Sequence, residues 1–316
     1  MKAVVINGIT PAEKVKLTDV EIPKLTEGRI LIKVKAFGLN HSEQILRLEE
    51  IDAPYIKKPV IPGIECVGTV EEVYEGSRFK KGDTVAALMG GMGRSFDGSY
   101  AEYALLPEHH VFSVPAFLAW DELGAIPETY FTAWGSLFEC LRLTENDTLL
   151  IRGASCALGY AAIQIAKALG SRVIATTHRQ QRLELIKGAD EALLDEGTLT
   201  GKVNGVTKAL DLVGPKHLKD TLTSVESGGI VCSTGILGGV YTLNDFDPIK
   251  DIPNGVYLTG FFSNYPDQGV MDEIFSFIKT HGLHPVNTNV YSFEEIATAC
   301  MDMDSGRVNG KIVIIL

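Results

Sequence analysis

The chain has 316 residues, of which 45% are hydrophobic and 22% charged, with 32 glycines and a formal net charge of −11. This composition is typical of a globular α/β protein and argues against a disordered chain or a small disulfide-stapled fold. The length predicts two domains, since it exceeds the size at which one hydrophobic core usually stops growing. The negative charge would repel a phosphate backbone, so a small-molecule substrate is favoured over a nucleic acid.

Neither a targeting segment nor a membrane span is predicted. The apolar run within residues 1–6 is much shorter than the core of a signal peptide, and no stretch approaches the ~20 uninterrupted apolar residues that cross a membrane. We therefore expect a cytoplasmic protein with no membrane partner. The five cysteines are odd in number and form no Cys-x-x-Cys pair, which favours reduced thiols over a disulfide framework or a thiolate zinc site.

Residues 1–117 are predicted to form a β-rich domain. Short apolar runs at 29–34, 65–70 and 84–88 are separated by turn residues, a pattern that is typical of strands. Frequent glycines between the runs supply the positive-φ or closely packed positions that a compact, irregular barrel needs.

Residues 118–265 alternate between strand and helix patterns. A strand at 148–151 leads to a helix at 160–169, which Gly170 ends, and then to a strand at 172–176. Further elements follow as a helix near 181–187 and strands near 192–194, 208–212, 229–233 and 256–261. This alternation predicts a doubly wound parallel sheet of the Rossmann type, with helices on both faces.

Residues 266–316 are predicted to pack back on the first domain, which makes that domain discontinuous. They contain a helical pattern at 273–279 and a terminal apolar run at 311–316 that predicts a strand. The expected α/β architecture therefore has a β-rich domain formed by two separate stretches and one parallel-sheet domain between them.

The segment 152–159 lies between a predicted strand and a predicted helix, where a glycine-rich turn can bind a pyrophosphate. Its G-x-G-x-x-G pattern is kept only at Gly159, because Ala154 and Cys156 replace the first two glycines. An ordinary tight turn is the alternative. Cys156 is interpreted as a small residue that fits the turn, and a thiolate activated by the helix amino terminus is the alternative.

The residues after the second strand of this unit predict the choice of nucleotide. An acidic residue there normally accepts the ribose hydroxyls of NAD, but 175–182 contains no acid. Arg179 and Arg182 could instead bind the 2′-phosphate of NADPH, and solvated arginines at a helix start are the alternative. The sequence therefore predicts NADP(H) as the cofactor.

With both halves in place, the chain resembles the quinone oxidoreductase branch of the medium-chain dehydrogenase/reductase superfamily. The resemblance runs nearly end to end. The residues that carry it are 38–40 with Arg47, 61–68, 81–85, 98–103, 132–134, 153–159 and 310–313. It implies a GroES-like catalytic domain at 1–117 and 266–316, a Rossmann domain at 118–265, an active site in the cleft between them, and commonly a homodimer.

Zinc-dependent relatives carry a cysteine where this chain has Asn40 and a histidine where it has Ile64. The third ligand position, near Glu128, also lacks a cysteine, and the cysteines of the structural zinc are absent from 89–99. An amide and an alkyl chain cannot supply the thiolate and imidazole donors of a tetrahedral zinc site. We therefore expect no metal.

Without a Lewis acid, a simple ketone is a poor hydride acceptor, whereas a conjugated acceptor spreads the developing charge through its own π system. The expected substrate is a quinone or another conjugated carbonyl. One alternative is an enoyl-thioester or 2-alkenal reductase, which uses the same hydride step. An alternative of another class is a non-catalytic dinucleotide-binding scaffold or redox sensor.

The resemblance also implies site residues. Ile45 stands where several quinone reductases carry a tyrosine, so that proton donor cannot be assigned here; the proton could also come from water. The candidate catalytic residues are Asn40, Ser42 and Tyr130, with His41 as a further proton donor. The residues expected at the cofactor are Asn40, Thr132, Ser155, Cys156, Ala157, Leu158, His178, Arg179, Arg182, Val213, Gly235, Ile236, Phe261 and Phe262.

Overall fold

The strands and helices of all 316 residues are described by a computed structural model. In chain order the strands are β1 (Lys2–Val4), β2 (Leu17–Asp19), β3 (Arg29–Leu39), β4 (Glu65–Val73), β5 (Thr84–Leu88), β6 (Tyr103–Pro107), β7 (Val111–Ser113), β8 (Thr148–Arg152), β9 (Arg172–Thr177), β10 (Glu191–Leu194), β11 (Lys208–Asp211), β12 (Ile230–Ser233), β13 (Tyr257–Gly260), β14 (Thr288–Ser292) and β15 (Lys311–Ile315).

The α-helices are α1 (His41–Ile45), α2 (Trp120–Leu123), α3 (Pro127–Trp134), α4 (Ala157–Leu169), α5 (Leu218–Thr223), α6 (Pro248–Asp251), α7 (Gln268–His281) and α8 (Ile296–Ser305). Two π-helical segments, Leu46–Glu50 and Gly135–Cys140, continue α1 and α3. None of the helices is long and apolar enough to cross a lipid bilayer.

One compact unit consists of residues 1–131 and 263–316. Its main sheet has the order β14-β15-β3-β4-β5-β7, and β6 also pairs with β3. The pairs are antiparallel apart from β14 with β15. In the core beneath it, Phe37 stacks on Tyr100 with their ring centroids 4.7 Å apart. The β-rich, GroES-like architecture predicted for this part of the chain is confirmed.

Several elements of this unit were not predicted, among them β14 and α8. The strand β14 has an exposed and half-buried pattern without the alternation that marks a strand, and it forms because β15 pairs with it in parallel register. The helix α8 buries only Ile296, Ala299 and Cys300 along one side, so its apolar stripe is narrow. Both elements depend on packing rather than on a strong local pattern.

The other compact unit consists of residues 132–262. Its six strands are parallel and have the order β10-β9-β8-β11-β12-β13, which confirms the predicted doubly wound sheet. The central strand β8 is almost entirely buried, as expected for a parallel strand covered on both faces. The order reverses direction between β8 and β11, and such reversals create a crevice at the carboxyl ends of the strands.

The helix predicted near 181–187 is a 3₁₀ segment at Gln180–Ile186 instead. Only Ile186 of this segment is buried, so too little apolar surface packs against the sheet to hold a longer α-helix. The domain limits predicted from the sequence, at residues 117 and 265, stay a prediction.

Candidate functional site

The turn after β8 brings backbone amides to the positive end of a long helix. Gly153 has a φ of 82°, and the Ala154 N–H donates to the Thr176 carbonyl oxygen at 2.8 Å. A Cβ atom at Gly159 would overlap the carbonyl oxygen of Ala154, so only glycine allows the helix to approach the turn this closely. The 13-residue helix α4 then begins at Cys156. This arrangement can hold an anionic group at the helix amino terminus.

Cys156 caps α4 through its sulfur atom. Its Sγ accepts a hydrogen bond from the Gly159 N–H at 3.4 Å. Burial raises the pKa of the Cys156 thiol, although the N–H groups of Gly159 and Leu158 and the charge of Arg182 act in the opposite direction. A thiol with a raised pKa is a weak nucleophile, which supports the interpretation of Cys156 as a small residue that fits the turn.

The turn is joined directly to the end of β9. The Ser155 and Thr177 hydroxyl groups lie 2.7 Å apart, and the Gly153 N–H donates to the Thr176 hydroxyl at 3.2 Å. Both threonines are fully buried. Residues 178–182, which follow β9, are therefore held beside the turn.

Four basic side chains lie near one another at this end of β9: His178, Arg179, Arg182 and Lys216. Burial lowers the pKa of His178, and the charges of Arg179, Arg182 and Lys216 lower it further, while Asp195 acts in the opposite direction. Burial and the charge of Arg179 likewise lower the pKa of Arg182. Cations that repel one another in this way would be stabilised by a doubly charged phosphate.

The turns after β11 and β12 lie on the other side of the turn after β8. The Asp211 carboxylate accepts hydrogen bonds from the N–H groups of Val213 and Gly214 at 2.9 and 2.7 Å. The Val213 side chain lies 3.1 Å from where a Cβ atom of Gly153 would be. Gly235 follows β12, and its N–H donates to the Asp211 carbonyl oxygen at 3.3 Å. The structure thus brings Gly153, Val213 and Gly235 together.

Thr132 is linked to the same strand ends. The Ser136 hydroxyl donates to the Thr132 carbonyl oxygen at 2.7 Å and lies 2.9 Å from the Thr234 hydroxyl. Thr234 is the residue before Gly235. Phe261 and Phe262 differ in their packing. The Phe261 ring packs so closely on Gly135 that a Cβ atom there would overlap it, whereas Phe262 is 72% exposed.

Asn40 belongs to a buried polar network in the unit formed by 1–131 and 263–316. Its Oδ1 accepts from Lys311 Nζ at 2.6 Å, and its Nδ2 donates to Glu65 Oε1 at 2.9 Å. Lys311 and Glu65 form an ion pair at 2.5 Å, with side chains that are 4% and 0% exposed. Glu65 Oε2 also accepts from the Glu128 N–H.

Glu43 connects this network to the chain around Ile64. Its carboxylate accepts from the N–H groups of Asn40 and Ile64 at 2.8 and 3.0 Å. Burial raises the pKa of Glu43 to about 7, although the Ile64 N–H and the charge of Lys311 lower it. A carboxyl group of this kind can change its protonation near neutral pH.

The other candidate catalytic residues lie in different surroundings. The Ser42 hydroxyl accepts from an Arg94 Nη at 2.9 Å. Tyr130 is 2% exposed, and burial raises the pKa of its phenol, which makes it a poorer acid. His41 is exposed at the start of α1.

The donor set around Asn40 does not suit a zinc ion. Ile64 is buried and offers an alkyl chain, Asn40 offers an amide that Lys311 and Glu65 already bind, and no group of three His, Cys, Asp or Glu side chains could hold a metal. Zinc independence remains a prediction that rests on these residue types.

Sequence reasoning did not assign four residues of these sites. Lys311, Glu65 and Lys216 supply charges, and Glu43 supplies a buried carboxyl group. Glu65 and Lys311 belong to the segments that carry the family resemblance, which is the one signal that could have found them. No pattern near Lys216 indicates a site.

Comparisons with known proteins agree with the architecture. The family described as alcohol dehydrogenase GroES-like domain matches residues 26–116, and the family described as zinc-binding dehydrogenase matches residues 187–314. The chain is 30% identical to a quinone oxidoreductase of Lama guanicoe, across 100% of this chain and 98% of the relative. It is 31% identical to an alcohol dehydrogenase of Geobacillus stearothermophilus, across 99% and 98%. The crystal structure of AibC superposes with a TM-score of 0.88 at 26% identity, covering 100% and 95%.

Proposed function

Since the chain belongs to the quinone oxidoreductase-like branch of the medium-chain dehydrogenase/reductase superfamily, we propose that it is an NADPH-dependent, zinc-independent oxidoreductase acting on quinones or other conjugated carbonyls. The observation that carries the choice of NADPH is the group of His178, Arg179, Arg182 and Lys216 beside the turn after β8. In NAD-binding sites of this type an acidic residue usually occupies the end of the second strand.

Each part of the bound dinucleotide has candidate residues in the chain. The N–H groups of residues 155–158 would hold the pyrophosphate at the start of α4, and the cations after β9 would hold the 2′-phosphate. Val213, Gly235 and Ile236 would lie along the ribose of the nicotinamide half. When bound, NADPH supplies the hydride, and the protein supplies position and electrostatics.

Neither the Tyr130 phenol nor the Ser42 hydroxyl is a strong donor of the proton that completes the reduction. Burial makes the Tyr130 phenol a weaker acid, and the Ser42 hydroxyl, which accepts a hydrogen bond from Arg94, is an aliphatic alcohol and therefore a very weak acid. We propose that Asn40 binds the substrate or the nicotinamide ribose through its amide and that water delivers the proton. A conjugated acceptor suits such a site because it disperses the developing charge itself.

We also propose that the protein is a homodimer. The edge strand β13 pairs only with β12, its sequence Tyr-Leu-Thr-Gly carries no charge, and Tyr257 is 62% exposed. An uncharged open edge is a template for pairing with a second copy. In sedimentation, Tyr257→Lys should shift the protein to the monomer mass, whereas Ile249→Lys, at an exposed position in α6, should not.

The function is tested by following oxidation of NADPH and NADH with 9,10-phenanthrenequinone, a 2-alkenal, an enoyl thioester and simple alcohols. We expect turnover with the quinone, a preference for NADPH, and no loss of activity after dialysis against a chelator. Turnover restricted to the alkenal or the thioester would favour the alternative reductase. Tight NADPH binding without turnover on any acceptor would favour a dinucleotide-binding scaffold.

A further inference from the structure

The Asn40 carboxamide is held on both of its polar atoms. Lys311 Nζ, which can only donate, contacts Oδ1 at 2.6 Å, and Glu65 Oε1, an acceptor, contacts Nδ2 at 2.9 Å. Turning the amide over would place its NH₂ group against the ammonium and its oxygen against the carboxylate. Both hydrogen bonds would then become repulsive contacts, so one orientation is strongly preferred.

In this orientation one of the two N–H groups of the Asn40 amide makes only a weak hydrogen bond. The second Nδ2 hydrogen has only a long contact with the Gly38 carbonyl oxygen, at 3.4 Å, and Asn40 is half-buried rather than enclosed. This N–H is therefore the donor that can move to a ligand oxygen at little cost.

The ion pair of Lys311 and Glu65 is buried, and burial of two charges costs desolvation free energy. The two side chains are almost fully buried, and a buried ion pair is often no more stabilising than a pair of apolar residues. The pairing of Val313 with Gly38 in the sheet brings Lys311 to Asn40, and a Cβ atom at Gly38 would overlap both the Lys311 and Glu65 side chains. Space for the ion pair thus depends on glycine at this position.

We propose that Lys311 and Glu65 are positioning residues that fix the Asn40 carboxamide with its oxygen toward the ammonium and its second N–H toward the ligand. In this way the Lys311 ammonium supplies a fixed positive charge beside the residue that stands at the zinc-ligand position of the metal-dependent relatives. The inference deepens the proposed function and rests on it, since it assumes that Asn40 meets the substrate or the nicotinamide ribose.

The test compares three variants of the whole chain in NADPH-dependent reduction of 9,10-phenanthrenequinone. Lys311→Met with Glu65→Gln removes both charges of the ion pair together, so neither partner stays buried without its counter-charge. Asn40→Ala removes the amide, and the third variant combines all three substitutions. Lys81→Met with Glu71→Gln is the matched control, because it neutralises an exposed ion pair of the same unit.

We expect the neutral pair to keep one bound NADPH per chain and a melting temperature near that of the wild type. Its kcat/KM should fall by about tenfold, the effect of losing one well-placed hydrogen bond. The loss should divide between kcat and KM as it does in Asn40→Ala, and the triple variant should lose no more than Asn40→Ala alone. Wild-type kcat/KM in the neutral pair, or losses that add in full, would overturn the proposal.

Failure of the proposed function is distinguishable from failure of this inference. If the wild type turns over no acceptor, the function fails, and the amide orientation is read from the side-chain NH₂ resonances of Asn40 by NMR. These resonances should shift in the neutral pair and stay unchanged in the Lys81 and Glu71 control. Unchanged resonances in the neutral pair would refute the positioning role.

Discussion

The hydroxyl groups of Ser155 and Thr177 lie 2.7 Å apart, and this hydrogen bond joins the turn after β8 to the carboxyl end of β9. Arg179 is held by the same group, because its backbone N–H donates to the Thr177 hydroxyl at 3.3 Å. The turn and the cations after β9 therefore keep a fixed spacing. A ligand with one phosphate at each place would be held at both without any rearrangement of the backbone.

Arg179→Ala should raise the KM for NADPH by about tenfold or more and leave the KM for NADH nearly unchanged, because one charge-assisted hydrogen bond to the 2′-phosphate is lost. Steady-state kinetics with each nucleotide measure the effect. Arg172→Ala is the control. Arg172 lies at the amino end of β9, opposite to the end that Arg179 follows, and it pairs there with Glu191. An equal effect of Arg179→Ala on both nucleotides would remove the case for a phosphate contact.

Gly159→Ala should weaken NADPH binding by about tenfold or more, since the new methyl group must push α4 away from Ala154 and the amides of the turn. Calorimetric titration with NADPH measures the change. Gly8→Ala is the matched control, because a Cβ atom there meets nothing within 4 Å. Unchanged affinity in Gly159→Ala would mean that the turn does not bind the pyrophosphate.

Arg152→Met should destabilise the protein by up to about 3–5 kcal/mol, because it leaves two partly buried carboxylates without their cation. Arg152 is fully buried, and its guanidinium binds Asp195 and Asp220 at 2.8 Å each. The midpoint of urea unfolding is the measurement. Arg172→Met removes an exposed pair and should cost less than about 1 kcal/mol; similar losses in the two variants would contradict the structural role given to Arg152.

Glu43 should make the stability of the protein fall as the pH rises from about 5 to 8. Its pKa in the folded chain is raised from 4.5 to about 7 by burial. Folding therefore favours the protonated form of Glu43. The contribution of Glu43 to the free energy of unfolding is complete below pH 4.5 and is lost as the pH rises through about 7. The difference corresponds to roughly 3 kcal/mol at most.

Urea unfolding between pH 5 and pH 8 tests this dependence. Glu43→Gln carries no charge at either pH and should flatten the decline, whereas Glu13→Gln, at an exposed position, should leave it as in the wild type. An equally steep decline in Glu43→Gln would assign the pH dependence to another group.

Cys156 should react slowly with iodoacetamide at neutral pH, because burial raises the pKa of its thiol. Cys140 and Cys156 are both partly exposed, so Cys140 is the matched comparison, and it should be labelled before Cys156. Peptide mass spectrometry over a time course, with and without NADPH, gives the order. Rapid labelling of Cys156 that NADPH prevents would instead support the activated thiolate.

The sequence by itself determined the features that neighbouring residues encode. The alternation of strand and helix between 148 and 176 predicts the first βαβ unit because side-chain periodicity is a local property. The cations after β9 and the missing acid are also visible in a single short segment. The family resemblance added the GroES-like first domain and named Asn40, which the structure places at the centre of a polar network.

Only the tertiary structure decided which distant groups meet. Lys311 reaches Asn40 across 271 residues because β15 pairs with β3 in one particular antiparallel register, and a shift by one residue would turn the lysine to the other face of the sheet. Lys216 joins His178 for a similar reason, since each follows a different strand of the parallel sheet. Register and strand order depend on the packing of the whole chain, and no local pattern of residues specifies them.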